Sequence, residues 1–442
     1  MIEQVITSTK IIQCEHLTAA DLDRLLFYCC GEQACTCIVT DSNPLQPRDK
    51  MLNDLRKIRS FMLLDRVFPD PKTDDIMTMV NELQGKAVNI VIGIGGGSTM
   101  DSAKAVAAVL CNGGDLNDYL GADATRKIEK RELKLILIPT TAGTGSEVTK
   151  VGVYTARNGR KYTLGHPLMQ ADIAVLVTDF VHGLPPDITA STAFDALSHA
   201  LETIWNRNAT PLSDRIAVES AVHILKWMEK AYDSSLIVAA AGRAEMLESD
   251  DMAETVDMAA GRAEMLEGAC MAGTAFTMTG TAAIHALSFI FSEEWHVPHG
   301  VACAFMLEDV FRLNIRNQKT KRLLAQIAET LFNKVERAKG QKDELVMQVA
   351  GTMFSKEEQV VQVSETPLNN DDEEQLIAKL LDKIIALKKK FGLPFTFKDL
   401  QINLEENRIE ELFAKSLDDP KMKNNIVPID TKIIFELIRN KM

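Results

Sequence analysis

A chain of 442 residues with 46% hydrophobic and 25% charged residues carries ample apolar material for large cores and excludes wholesale disorder. At roughly 100–200 residues per domain, two to four domains are expected. The 49 basic residues against 62 acidic ones leave a formal charge of −13, which speaks against sequence-independent nucleic-acid binding and against an anionic membrane surface.

The opening residues, Met1-Ile2-Glu3-Gln4-Val5, lack a basic segment followed by an apolar stretch, so no secretory signal is expected. No apolar run approaches the roughly 18 residues that a membrane span needs, and a cytoplasmic location follows as the expectation. Eight cysteines fall at 14, 29, 30, 35, 37, 111, 270 and 303. Their spacing does not form the paired CxxC of zinc modules, and buried free thiols are expected.

Along the chain, β-rich runs at Thr36 to Thr40, Ala87 to Ile94 and Leu133 to Ile138 read as strands. The last two are nearly continuous in apolar residues, as suits strands covered on both faces of a parallel sheet. Helical spacing from Ser98 to Leu110 completes an alternating α/β pattern. After Gly183-Leu184-Pro185-Pro186 the texture changes. Helical spacing then dominates in Ala217 to Trp227, Lys319 to Val335, Glu374 to Lys390 and Glu405 to Ala414. The expected boundaries are an α/β domain over 1–184 and an all-helical domain over 185–442.

Residues 240–248, AAGRAEMLE, recur unchanged at 259–267. Two copies cannot build a solenoid, so this reads as a local tandem duplication lengthening a helix or loop, without a catalytic role.

Three motifs carry chemistry. Gly95-Gly96-Gly97-Ser98-Thr99-Met100-Asp101 stands where an apolar strand gives way to a helix. Successive glycines admit a ligand close to the backbone, and the helix N-terminus favours phosphate. Pro139-Thr140-Thr141-Ala142-Gly143-Thr144-Gly145-Ser146-Glu147 follows the next strand, again at the carboxyl edge where α/β sheets bind ligands. In the helical half, Asp195 and His199 share a helix face by their spacing, and His285 and His299 lie farther along. One carboxylate and three imidazoles suit a divalent transition metal.

Together GGGSTMDSAK, PTTAGTGSEVT, FDALSHALE and the His285–His299 pair ending in Pro298-His299-Gly300 resemble the iron-containing (group III) alcohol dehydrogenase family, from about Val39 to Asn425. The resemblance implies a Rossmann-like N-terminal domain, an all-helical C-terminal domain and an active site in the cleft between them. It places the metal, iron(II) with zinc(II) as the alternative, on Asp195, His199, His285 and His299. It places NAD(P) on Gly95, Gly96, Gly97 and Ser98 with Asp101 behind them. Thr140, Thr141 and Thr144 would line the nicotinamide side, and Lys161 would approach the ribose. Asp41, closing a strand, favours NAD(H) over NADP(H) in such a fold. Many relatives carry a further histidine four residues after the third ligand; Phe289 stands there and cannot relay a proton.

For substrate, His285 to Ser288 with His296 to Gly300 is similar to 4-hydroxybutyrate dehydrogenases. Thr189 to Thr192, Trp205-Asn206 and Lys423-Asn424-Asn425 look more like phosphonoacetaldehyde reductases. Both handle a short aldehyde with an anionic tail, and Lys150, Arg157, Arg160 and Lys161 are the candidate cations. The implied reaction is hydride transfer between NAD(H) and that aldehyde, with the metal as Lewis acid. A homodimer or larger assembly is expected. The rival reading is a lyase of the dehydroquinate synthase kind, which would show no net NADH consumption.

Overall fold

The computed structural model describes residues 7–241, 252–332, 370–403 and 405–442. Six parallel strands form one sheet: β1 (Lys10–Cys14), β2 (Thr36–Asp41), β3 (Met62–Val67), β4 (Ile90–Gly95), β5 (Lys134–Pro139) and β8 (Ile173–Val177), in the order β1-β8-β5-β4-β2-β3. An antiparallel hairpin, β6 (Val151–Thr155) and β7 (Lys161–Gly165), stands apart from it. Helices α1 (Ala19–Cys30), α2 (Gln46–Ile58), α3 (Thr73–Leu83) and α4 (Gly97–Asn112) connect the strands.

The alternation of side chains along each strand explains the two-sided burial. Ile90, Ile92, Ile94, Ile136 and Ile138 enter one core, and Val91, Leu135 and Leu137 enter the other. Each such side chain contributes roughly 1.5–3 kcal/mol on burial. The sheet is thus pinned between two helical layers, as in Rossmann-like α/β folds. The strand expected at Ala87 to Ile94 begins at Ile90, and Gly95 extends it.

Chain order sets up a crevice. From β2 the chain moves outward to β3, then returns to the other side of β2 to make β4, β5 and β8. The order therefore reverses between β2 and β4, where ligands of open α/β sheets bind. Thr40 pairs with Ile94 and Gly95 pairs with Pro139, so Asp41, Gly95 and Pro139 end their strands at one level on the carboxyl edge, and Thr140 follows directly.

From Asp179 onward the described elements are helical. They comprise α5 (Asp179–His182), α6 (Pro186–Ile204), α7 (Pro211–Ala241), α8 (Met252–Thr279), α9 (Ala283–Trp295), α10 (His299–Asn314), α11 (Gln318–Phe332), α12 (Asn370–Lys390), α13 (Glu406–Ala414) and α14 (Thr431–Arg439). Pro185 precedes α6 and Pro186 is its first residue, where a proline loses no hydrogen bond. Helix α6 is the centre of this half: every residue from Ala193 to Ile204 is buried. No single described helix is long and apolar enough to cross a membrane.

Within the repeat, the second copy lies in α8, where Arg262 is buried and donates to the Val181 carbonyl (2.7 Å) and the Ser234 hydroxyl (3.2 Å). Residues 242–248 of the first copy lie outside the described residues. All eight cysteines are free, but only Cys37, Cys270 and Cys303 are fully buried; the others are partly exposed. The expectation of buried thiols thus fails for five of them, which sit near helix ends and at the sheet margin.

Candidate active site

Helix α6 carries Asp195, His199 and Glu202, each about one turn from the next, so the three point along one side of the buried stretch Ala193 to Ile204. Charges in such a place need partners. His285 from α9 and His299, the first residue of α10, close around the same point. Asp195 Oδ1 stands 3.5 Å from His285 Nε2 and 3.5 Å from His299 Nε2, and 3.9 Å from His199 Nδ1. The His199 ring is stacked between Phe276 and His285, at 4.2 and 4.4 Å between centroids.

Asp195 Oδ1, His199 Nδ1 and His285 Nε2 are buried without hydrogen-bond partners. Unpartnered buried acceptors aimed at one point are what a cation supplies with partners. Donor atoms about 2.0–2.2 Å from one ion stand roughly 3.3–3.6 Å apart along a tetrahedral edge, the spacing of Asp195 to His285 and to His299, with His199 slightly farther. The residues fit a transition metal. His299 is 32% exposed at its side chain, so the centre opens on that side.

The imidazoles are held in one tautomer. His285 Nδ1 lies 2.7 Å from Glu202 Oε2, and His299 Nδ1 lies 3.4 Å from Ser288 Oγ, which itself donates to the His285 carbonyl. These partners put each proton on Nδ1 and leave each Nε2 lone pair facing the centre. Burial pushes His199 down to about 3 despite the attraction of Asp195, so it is neutral. Burial opposes ionisation of Asp195, yet the imidazoles around it, His199 and His299 foremost, hold its carboxyl well below the usual range.

In the sequence Glu202 passes for a charge on a solvated helix face. Its carboxylate is fully buried and accepts from the backbone N–H groups of Ala282, Ile284 and His285 as well as from the His285 ring. The available signal was its placement two turns from Asp195.

At the sheet edge, the glycine loop and the threonine loop touch. Thr140 N–H donates to the Gly95 carbonyl (3.0 Å). A Cβ on Gly97 would stand 2.6 Å from Thr144 Cγ2, so only glycine lets the two loops pack. Gly145 has φ +60° and lies against Gly273 of α8, joining this loop to the helical half. Gly96 caps α4, whose first N–H groups have no partner within the helix. Thr141 Oγ1 is buried and has no hydrogen-bond partner. These features fit a pyrophosphate against Gly96–Ser98 with a polar group near Thr141.

Other expected contacts are engaged within the protein. Asp101 accepts from Ser146 Oγ (2.7 Å) and from Val153 N–H (2.9 Å). The buried Lys104 donates to Ser146, Thr149 and the Val151 carbonyl. Asp101 thereby positions the threonine loop. Asp41 accepts from Asn43 N–H and stands 3.4 Å from buried Arg48. Lys161 Nζ pairs with Asp70 at 2.5 Å, and Arg157 pairs with Asp74 and Asp115 on the outside. Lys150, Arg157 and Arg160 are exposed, so the expected cation cluster disperses along the hairpin. Trp205-Asn206 and Lys423-Asn424-Asn425 meet each other: Arg207 N–H donates to the Asn424 carbonyl (2.8 Å), and Asn206 bridges Asn425. They clasp the chain ahead of α9.

Sequence models of two families match nearly the whole chain. "Iron-containing alcohol dehydrogenase" matches residues 18–178, and "Fe-containing alcohol dehydrogenase family, C-terminal" matches 189–254 and 244–442. The chain belongs to the iron-containing alcohol dehydrogenase family. The two C-terminal matches overlap over the end of the first repeat copy, which marks one copy as surplus to the family pattern.

Among relatives, the chain is 35% identical over 257 residues to Long-chain-alcohol dehydrogenase 1 of Geobacillus thermodenitrificans, covering 58% of this chain and 59% of that protein. It is 32% identical over 237 residues to the sulfoacetaldehyde reductase of Bilophila wadsworthia, covering 53% and 55%. The chain thus spans less than two thirds of the length of these relatives. The crystal structure of sulfoacetaldehyde reductase from Bifidobacterium kashiwanohense in complex with NAD+ has the same fold, with a TM-score of 0.77 at 23% identity over 100% of this chain and 99% of that one.

Proposed function

We propose that this chain is a metal-dependent, NAD(H)-linked alcohol dehydrogenase that reduces short aldehydes bearing an anionic tail, phosphonoacetaldehyde to 2-hydroxyethylphosphonate first among them. The observation carrying the reading is the convergence of Asp195, His285 and His299 on one buried point, with His199 3.9 Å from Asp195 and with unpartnered acceptors among them. In this reading residues 1–184 are the dinucleotide-binding domain and 185–442 the metal-binding domain of a cytoplasmic homodimer or larger assembly.

Asp195, His199, His285 and His299 hold iron(II), or zinc(II), which when bound supplies Lewis-acid polarisation of the carbonyl oxygen. Gly95 to Ser98 hold the NAD(H) pyrophosphate; Thr140, Thr141 and Thr144 lie on the nicotinamide side, and Asp101 fixes their loop. Asp41 faces the adenosine ribose from the end of β2, and its negative charge disfavours a 2′-phosphate. Phe289 excludes water beside His299, 6.3 Å away between rings. It carries no proton, so the proton for the product comes from water or the cofactor ribose.

The anionic tail needs a fixed cation. Lys421 Nζ lies 3.8 Å and Lys161 Nζ 6.0 Å from the centre of the Phe289 ring. These two cations flank the residue beside His299 and support an anion site there, which an anionic tail would share with their present partners, Asp419 at 3.0 Å from Lys421 and Asp70 at 2.5 Å from Lys161. The sulfoacetaldehyde reductases among the relatives favour a sulfonate as the second reading. The test is NADH oxidation by anaerobically iron-loaded protein with phosphonoacetaldehyde, sulfoacetaldehyde, succinic semialdehyde and butyraldehyde in parallel. Preference for one anionic aldehyde, lost in Lys421→Ala, fits the reading. Equal use of butyraldehyde would overturn the anion argument, and turnover without net NADH consumption would point to a lyase.

A further inference from the structure

Among the described residues, a group of donor atoms that could hold a metal ion includes a sulfur. Asp195, His285, His299 and Cys303 each offer one atom, and all four atoms lie within 4.8 Å of one another. His199 is not in this set. Cys303 follows His299 by one turn of α10, which brings its Sγ to 3.8 Å from His299 Nε2. The residue is fully buried, as are the unpartnered Asp195 Oδ1 and His285 Nε2 that face the same point. A metal–sulfur bond of about 2.3 Å and a metal–nitrogen bond of about 2.0–2.1 Å place the two atoms roughly 3.5–3.6 Å apart at a tetrahedral angle. The observed separation is close to that.

We propose that Cys303 is a ligand of the metal, so that this centre holds a thiolate beside its carboxylate and imidazoles. The inference rests on the metal reading above and deepens it. On metal binding the thiol loses its proton to solvent and sulfur donates its lone pair to the ion. A soft donor of this kind raises preference for zinc and cobalt over magnesium and manganese. Cys270 serves as the internal comparison, since it too is a fully buried free thiol but lies in α8 and outside the donor set.

The test loads the full chain with cobalt(II) and records its absorption spectrum. A thiolate-to-cobalt charge-transfer band in the near ultraviolet is expected, lost in Cys303→Ala and Cys303→Ser and kept in Cys270→Ala, while the visible ligand-field bands persist in all. X-ray absorption of the unmutated zinc-loaded protein, with a sulfur shell at about 2.3 Å, gives the same answer should the variants fail to fold. Stoichiometric cobalt with ligand-field bands but no sulfur band or shell would overturn the thiolate and leave the metal reading standing. A chain that takes up no cobalt or zinc would overturn both.

Discussion

Replacing Glu202 by glutamine separates a ligand-orienting role from a purely structural one. One carboxylate oxygen accepts from Ile284 N–H (2.5 Å) and His285 N–H (3.4 Å), the other from Ala282 N–H (2.8 Å) and the His285 ring at Nδ1 (2.7 Å). Glutamine keeps one acceptor and puts an NH2 donor against the other pair. Whichever way the amide lies, at least one buried backbone N–H loses its partner, at about 1–3 kcal/mol. If the NH2 faces His285, the ring must accept at Nδ1 and carry its proton on Nε2, the atom aimed at the metal. We therefore expect Glu202→Gln to lower the thermal stability of the metal-free protein and, separately, to weaken metal affinity by about 10- to 100-fold, the range for such supporting groups. Chelator competition with zinc(II) or cobalt(II) measures the affinity, and calorimetry of the metal-free chain measures the stability. Lower stability with unchanged affinity would refute the tautomer argument and leave Glu202 as the cap that starts α9.

Three further outcomes follow from local geometry. Gly97→Ala drives a Cβ into Thr144 Cγ2, so NADH binding should weaken about tenfold or more, in line with the 1–3 kcal/mol of overpacking; adding Thr144→Ser removes that methyl and should restore most of the loss in a fluorescence titration. Lys388 is buried with its Nζ over the Phe395 ring (4.4 Å) and without a hydrogen-bond partner, and burial, aided by Lys441, pulls it from 10.5 down to about 7. Below pH 7 the charge is present in both folded and unfolded chains and folding must bury it, while between pH 7 and 10.5 the unfolded chain holds more protons and stability rises with pH. Lys388→Met should therefore stabilise the protein below pH 7 by at most about 5 kcal/mol, at roughly 1.4 kcal/mol per pH unit; a gain in urea melts that does not shrink from pH 6.5 to 9.5 would contradict this. Deleting residues 240–258 leaves one intact AAGRAEMLE with its Arg262 contacts, and a shorter connection costs little. The deleted chain should still fold and bind cobalt, and loss of either would show that both copies are needed.

The strands legible in the sequence were those buried on both faces, such as β4 and β5, whose runs of Ile, Val and Leu admit few other readings. The edge strands β1 (KIIQC) and β3 (MLLDRV) mix polar and apolar residues because one side meets solvent or a helix margin, and no period stands out in five or six residues. The glycine and threonine loops were legible because their composition has a backbone cause, seen in the contacts of Gly97 and Gly145. The four Asp and His positions were legible only as motifs, since helical spacing links Asp195 to His199 but nothing local links them to His285 or His299. Lys421 was invisible for the same reason: a short turn at Pro420–Asn424 carries it to Phe289 from far along the chain.

The charge inside α6 gives these separate readings a common cause. Asp195 and Glu202 put two carboxylates into a helix whose residues from Ala193 to Ile204 are all buried. Glu202 is compensated by four N–H donors, whereas Asp195 Oδ1 has none. Burial alone would make that carboxylate cost several kcal/mol, and in the metal-free chain only the imidazoles of His199, His285 and His299 offset it. A divalent ion removes that cost, so metal binding should raise the melting temperature of the wild-type chain. In Asp195→Asn the metal-free protein should melt no higher than the metal-free wild type, because the surrounding imidazoles already favour the ionised carboxylate, and added cobalt should raise it less. A cobalt-induced rise in Asp195→Asn equal to that of the wild type would mean that Asp195 is a structural carboxylate and not a ligand.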